Sequence, residues 1–352
     1  MHQRGTADPR NSDWTVAVAS ERIDACLRPT LMIPFISPTS GRQLERSGNV
    51  LESGAGEQFS IVDEIPRFVS SDNYASHFGH QWKLHALTQL DSSTGTRISR
   101  DRLERCLGAP LSVLSGKTVL EVGCGAGRFT ELMVGAGALV HAVDLSVAVE
   151  ANRQNVGSHP NYVVAQADLR RLPFPRESFD VVVALGMLQH TPSPEESVRA
   201  LWPFVKPGGC LVIDHYTWTL SLVTKLASLY RPAVKRLPPP AAKKVTDWLV
   251  DLFFPLHWSV RRVYLAQMLL SRVSPCLVYF RTYPGLSKQQ HRDLCRLDTF
   301  DSLTDQYKRL RTTGQIRRLL GRLPGSSQVV AYRAGNGVEA RVMKRTHCGV
   351  TS

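Results

Sequence analysis

Between residues 117 and 216 short apolar runs alternate with segments of helical period, and nothing else in the chain narrows the fold as much. KTVLEVG, LVHAVDLS, YVVAQADL, FDVVVALGML and CLVIDHY predict five strands. GRFTELMVGAG, AVEANRQNV and PEESVRALWPFVKPGG lie between strands and predict helices, the last stopped at Pro207-Gly208-Gly209. Runs as apolar as VVVAL cannot face water on either side. The pattern therefore predicts an α/β fold, with a parallel sheet covered by helices on both faces. Near the C-terminus QVVAYR and VEARV flank Ala334-Gly335-Asn336-Gly337, whose Asn-Gly pair predicts an antiparallel hairpin closing that sheet.

The first strand ends in VLEVGCGAGRF, with glycines at 123, 125 and 127. A strand, a glycine loop and a helix make the nucleotide-binding corner of an open sheet. Dinucleotides use G-x-G-x-x-G and set a pyrophosphate on the helix N-terminus. Here the glycines run G-x-G-x-G, and Arg128 stands where the third dinucleotide glycine belongs. Glu121, two residues before the first glycine, would repel a pyrophosphate but suits a ligand carrying ammonium and sulfonium charge.

The segment Glu121–Gly127 resembles the first motif of the class I S-adenosylmethionine-dependent methyltransferases. Asp144, 21 residues after Gly123, is similar to that family's acidic residue for the ribose diol. Asp168 in QADLRRLPF resembles the acceptor from the adenine amino group. The resemblance implies S-adenosylmethionine as cofactor, held by Glu121, Gly123, Gly125, Gly127, Asp144, Leu145, Asp168, Leu169 and Leu185. It implies a Rossmann-like, doubly wound, seven-stranded sheet. FDVVVALGMLQHTPSPEE looks like the fourth strand and the loop beneath the methionine moiety, and VKPGGCLVID like the turn and strand that follow.

Families that methylate planar amines carry Asn/Asp-Pro-Pro-aromatic after the fourth strand. This chain has Ala184–Pro192 instead, and its LQHTP segment resembles small-molecule O- or C-methyltransferases. His190 is accordingly the candidate catalytic base, since histidine titrates near neutrality; packing or capping of the next helix is the competing role. His215 and Tyr216, at the end of the fifth strand, are second candidates. SDNYASHFGHQW resembles an N-terminal extension of some bacterial methyltransferases, which brings Tyr74, His80 and Trp82 toward the cofactor. Asp298, Asp301 and Tyr307 of LDTFDSLTDQY are weaker acceptor-site candidates, with solvated helix positions as the plainer reading.

The remaining organisation is read more coarsely. Residues 1–29 form a polar tail, and 30–70 a small β unit resembling a zinc ribbon stripped of its paired cysteines. Residues 71–116 read as a helical linker and cofactor lid, 117–216 as the cofactor-binding core and 217–283 as a basic helical cap. Residues 284–346 complete the fold, and 347–352 are a tail. The seven cysteines show no CxxC pair, which argues against a metal ribbon or a disulfide framework and for buried thiols. MHQRGTADPRNSDW lacks the apolar core of a signal peptide, which predicts a cytoplasmic protein.

Charge is uneven. Residues 1–116 carry 12 basic and 13 acidic groups, and residues 117–216 carry 8 and 10. Residues 217–283 carry 10 and 2, and residues 284–352 carry 13 and 5, so the whole excess of +13 follows position 216. That third of the chain suits an anionic acceptor, a nucleic acid or an anionic membrane surface. The amphipathic stretch 245–283 is the candidate for peripheral membrane contact. A small-molecule or glycan-like acceptor is favoured over RNA, because no nucleic-acid module shows its signature. A cofactor-binding but inactive partner protein is the reading from a different class.

Overall fold

The computed structural model describes residues 32–70, 86–218, 227–335 and 337–346. Tyr74, His80, Trp82 and Asn336 lie outside the described residues. The described chain opens on four short antiparallel strands, β1 (Leu44–Ser47), β2 (Val50–Ser53), β3 (Gln58–Val62) and β4 (Ile65–Pro66), paired in that order. Within the small β unit expected over residues 30–70, the apolar run LMIPFIS forms only a bridge from Ile36 to Gln43. Pro34 and Pro38 remove ladder donors there. Leu44–Ser47 instead pairs with β2 across a two-residue turn, where Gly48 has φ of 62°. Leu44, Leu51 and Ile61 pack with Phe35, Phe59 and Phe68 to hold this unit together. Among the described residues no cluster of His, Cys, Asp or Glu could hold a metal ion. The unit is tied to the main sheet by the Phe68 N–H, which donates to the Gln166 carbonyl at 2.8 Å, and by the Ile33 N–H, which donates to His141 Nε2 at 2.9 Å.

The main sheet contains β5 (Thr118–Val122), β6 (Leu139–Asp144), β7 (Tyr162–Gln166), β8 (Phe179–Ala184), β9 (Val205–Tyr216), β10 (Ser326–Ala334) and β11 (Gly337–Lys344). Its order is β10-β11-β9-β8-β5-β6-β7. The five strands from β9 to β7 are parallel, and β11 and β10 add antiparallel. The chain moves outward from β5 to β7 and then returns to β8 on the other side. At this reversal the connections after β5 and β8 lead to helices on opposite faces of the sheet, which is where an open α/β sheet binds its ligand.

One face of the sheet, with Leu120, Val182 and Ile213, packs under α4 (Pro194–Leu201) and α9 (Thr313–Gly321). The other, with Val119, Val183 and Val212, packs under α1 (Ile98–Leu107), α2 (Thr130–Gly135) and α3 (Ala148–Val156). Val181, Val182 and Val183 are at most 1% exposed, as a central strand with no solvent face requires. Each such side chain contributes roughly 1.5–3 kcal/mol by leaving water.

Local signals set the helix ends. Ser193 accepts from the Glu196 N–H, Pro194 opens α4, and Glu195 and Glu196 face its positive end. Thr312 and Gln315 form a capping box on α9. The helix expected to run to Pro207 ends at Leu201, because Pro203 interrupts the backbone donors and forces a 3₁₀ turn. Lys206–Gly209 then lie inside β9, where the register against β8 shifts. A Cβ on Gly209 would stand 2.8 Å from the Asp180 carbonyl, so glycine fits this irregularity.

After β9 the chain forms α5 (Ala227–Val234), α6 (Pro239–Ser259), α7 (Tyr264–Val273) and α8 (Lys288–Thr304). Val234, Ala242 and Leu249 pack with Phe300 and Leu303, so α8 belongs to the cap and the boundary drawn at residue 283 falls inside it. Arg292 and Arg296 both reach Asp251 at 2.7 Å and lace α8 to α6. The five described cysteines are buried and form no disulfide with one another.

Candidate functional site

The glycine loop forms the floor of the crevice. Gly123, Gly125 and Gly127 have φ of 75°, 50° and 97°, in the left-handed region that glycine enters without strain. A Cβ at Gly123 would meet Met187 Cγ at 2.6 Å, so the loop after β8 closes directly over the loop after β5. A Cβ at Gly127 would stand 3.2 Å from Val156 Cγ2, so this glycine serves the approach of α3.

Asp144 ends β6 beside the loop. Its Oδ2 accepts from the Gly125 N–H at 3.0 Å, and its Oδ1 from the Ser146 N–H and hydroxyl at 2.8 and 2.7 Å. Burial raises its pKa, against the pull of these donors. Leu145 follows it, half-buried. Asp168 caps the turn after β7 and holds Arg170 at 2.6 Å; burial opposes ionisation there, but the arginine wins and the net pKa is lowered. Leu169 is buried under the sheet, and a groove of about 460 Å³ opens from Asp168 toward Phe59 and Phe68 of the small β unit. Leu185 is packed into the opposite core.

Glu121 is 2% exposed, and burial pushes its carboxyl up to about 8, against the pull of one hydroxyl donor. That donor is the Thr130 hydroxyl, at 2.6 Å. Thr130 in turn accepts from Asn152 Nδ2 at 2.9 Å, and Asn152 Oδ1 accepts from the Tyr162 hydroxyl at 2.6 Å. This buried chain fixes Glu121 behind the loop. Thr130→Val deprives both Glu121 and Asn152 of a partner and is expected to cost about 1–3 kcal/mol. Urea unfolding reads this directly, and an unchanged midpoint would show that the chain carries no stability.

The roof comes from the loop after β8 and from α8. His190, in the 3₁₀ turn Leu188–His190, places Nδ1 3.3 Å from Asp305 Oδ2 and 3.3 Å from the Tyr307 carbonyl. Its Nε2 lies 4.0 Å from Asp301 Oδ2. Burial lowers the imidazole pKa, but Asp301 and Asp305 together outweigh it, and the net shift is upward. Burial, with Asp305 and Asp298 nearby, pushes Asp301 up to about 6. Tyr216 meets the His190 ring edge-on at 5.6 Å. The next-door His215 turns to the other face, with burial and then Arg311 lowering its pKa. Strand alternation therefore gives the site Tyr216 and withholds His215. Asp298 and Asp301 are half-buried and electrostatically joined to Tyr216, which corrects their reading as solvated helix positions.

A wall missed by the sequence reading joins floor and roof. Asp214 accepts from the Gly186 N–H at 2.6 Å and from Arg102 Nε at 3.0 Å. Arg102 and Arg128 flank the Phe129 ring at 5.7 and 5.1 Å. Burial, then the like charge of Arg102, brings Arg128 down to about 10. Gln89 Oε1 accepts from Arg128 at 3.0 Å, and Gln89 Nε2 reaches Asp298 at 3.4 Å. A carboxylate ending an otherwise apolar strand, as in VIDHY, was the available cue.

A glycine loop and a strand-end carboxylate at the switch point of a seven-stranded sheet define a Rossmann-like cofactor-binding core. Residues 120–213 match the family described as Methyltransferase domain. The ubiquinone biosynthesis O-methyltransferase of Pseudomonas fluorescens (strain SBW25) is 40% identical over 102 residues, covering 27% of this chain and 43% of that protein. Its namesake in Shewanella sp. (strain ANA-3) is 39% identical over 98 residues, covering 27% and 41%. The chain thus spans less than half the length of these curated relatives. Among solved structures, the CurJ carbon methyltransferase aligns over 78% of this chain and 61% of its own, at 14% identity and a TM-score of 0.43. Magnesium protoporphyrin IX methyltransferase from Synechocystis PCC 6803, with bound SAH, aligns over 76% and 84%, at 16% and 0.36. Residues 120–213 thus resemble the methyltransferase domains whose cofactor is S-adenosylmethionine.

The described residues fit that cofactor. Asp144 would offer two carboxylate oxygens to a vicinal diol, the bare glycine backbone would admit close approach, and Asp168, whose oxygens both accept from Arg170, would stand with Leu169 at an adenine edge. Glu121 is a buried acid that a nearby cation would return to its ionised form.

Proposed function

We propose that the chain is an S-adenosylmethionine-dependent methyltransferase that methylates an oxygen of a small hydroxylated acceptor, glycan-like polyols included. The observation that carries this reading is His190, set between Asp301, Asp305 and Tyr216 at the carboxyl edge of the sheet. The names of the curated relatives favour oxygen as the accepting atom. The cofactor supplies an electrophilic methyl on a sulfonium.

The protein supplies position and a base. Asp305 and the Tyr307 carbonyl hold Nδ1–H, which leaves Nε2 as the nitrogen that would take the proton of the acceptor hydroxyl. Asp301 positions the imidazolium that forms and stabilises its charge. The Arg102–Asp214 pair fixes the loop at Gly186, so acceptor and methyl meet in line. Arg128 offers a positive charge beside the glycine loop for an anionic ligand group.

The test is transfer from tritiated S-adenosylmethionine to a panel of phenols, catechols and sugars, followed across pH. A base must be neutral, and His190 is held protonated by its carboxylates. Activity is therefore expected to rise with pH through a value above the ordinary histidine pKa of about 6.5. Asp301→Asn removes a raising charge and should move that limb to lower pH. The stability contributed by the raised His190 pKa has the matching sign and is lost as pH rises through the higher folded value, while Asp301, pushed up to about 6, gives up its charge as pH falls through that value. Transfer to nitrogen acceptors alone would overturn the assignment.

A further inference from the structure

The cap carries an apolar surface that no other described residue covers. Helix α7 has no buried residue, and its Leu265 is 60% exposed. Tyr264, Leu269 and Val273 are exposed beside it. On α6, Val245, Trp248, Leu252 and Leu256 recur at helical spacing as a single exposed stripe, with Trp248 at 62%. Gln267 ties α7 to His257 at 2.8 Å, but a ten-residue helix with no fully buried residue is marginal in water, so its exposed apolar face suits an apolar environment. An apolar stripe of this length on α6, with a second exposed apolar run on α7, marks an interaction site.

Charge selects the partner. Residues 217–283 hold ten basic side chains and two acidic ones. Both acids are already engaged: Asp247 with Lys243 at 2.6 Å, and Asp251 with Arg292 and Arg296. Lys244 and Arg262 are exposed and have no carboxylate partner among the described residues, while Arg261 and Arg281 lie over Trp258 and Tyr264. A second copy of this face would bring like charge against like charge across a symmetric contact. An apolar stripe edged by Trp, Tyr and arginine fits the headgroup boundary of an anionic bilayer. No helix among the described residues is long and apolar enough to cross a membrane. We infer that α6 and α7 lie on the surface of an anionic phospholipid bilayer, with the apolar stripe inserted and the basic groups at the phosphates.

The experiment is co-sedimentation of the full chain with vesicles of phosphatidylcholine alone or mixed with phosphatidylglycerol, alongside Trp248 emission. The expected result is binding to the mixed vesicles only, with a blue shift. Leu265→Asp combined with Leu269→Asp should abolish both, and these exposed positions leave the core intact. Lys244→Gln with Arg262→Gln should weaken binding about thirtyfold. Equal binding to both vesicle types, or undiminished binding by the aspartate variant, would overturn the inference. So would a self-associated species that vesicles do not disperse and the aspartate variant does, which would assign the face to a second copy. S-adenosylhomocysteine affinity, measured on the same variants, reports on the methyltransferase reading separately and should not change.

Discussion

His190→Gln is expected to lower kcat by about 10²- to 10⁴-fold, the range for loss of a positioned general base, while S-adenosylhomocysteine binds as it does to the wild type. The split between the two readouts separates a base from a packing residue. The His190 ring meets Asp301, Asp305, the Tyr307 carbonyl and Tyr216 in the roof of the site. None of them belongs to the glycine loop or the ends of β6 and β7, where the cofactor is expected. A packing role would show as lost stability or lost cofactor affinity with kcat little changed. Glutamine keeps a side chain able to hydrogen bond at Asp305, so the carboxylates are not stranded without a donor.

Asp144→Ala is expected to weaken S-adenosylhomocysteine binding by about 10²- to 10⁴-fold. Two hydrogen bonds from ribose hydroxyls to a charged acceptor are worth about 1.5–3 kcal/mol each. The same carboxylate tethers the glycine loop through the Gly125 N–H and starts the next helix through Ser146, so alanine removes both ligand and loop contacts. Asp144→Asn keeps one carbonyl oxygen and is expected to fall between wild type and alanine. Calorimetric titration at constant pH measures the series. Equal affinity for all three would place the ribose elsewhere.

The core of the sheet was legible because its code is local. Runs such as VVVAL admit few alternatives to a buried strand, and each is punctuated by glycine, proline or a capping residue. The floor of the site was legible for the same reason, since Glu121, the three glycines and Asp144 lie within one β–loop–α–β unit. The roof was not. Asp301 is 111 residues from His190, on a helix whose composition resembles any solvated surface. The signal present was spacing: 298, 301 and 305 fall on one helical face, with Asp305 just past the end of the helix. Nothing in the sequence shows that this face turns toward β9, because the turn is made by packing against α5 and α6. The misplaced end of α4 has another cause: Pro-Gly-Gly reads as a helix stop, but Pro203 acts first and the glycines serve a bulge in β9.

The most direct measurement is calorimetric titration of S-adenosylhomocysteine into the purified chain, with NAD as the control ligand. The product analogue needs no acceptor, so the result does not depend on knowing the substrate. Micromolar binding of S-adenosylhomocysteine and none of NAD is the outcome this account predicts from Glu121, Asp144 and the glycine loop. Binding of NAD instead, or of neither by a cooperatively folded protein, would contradict it.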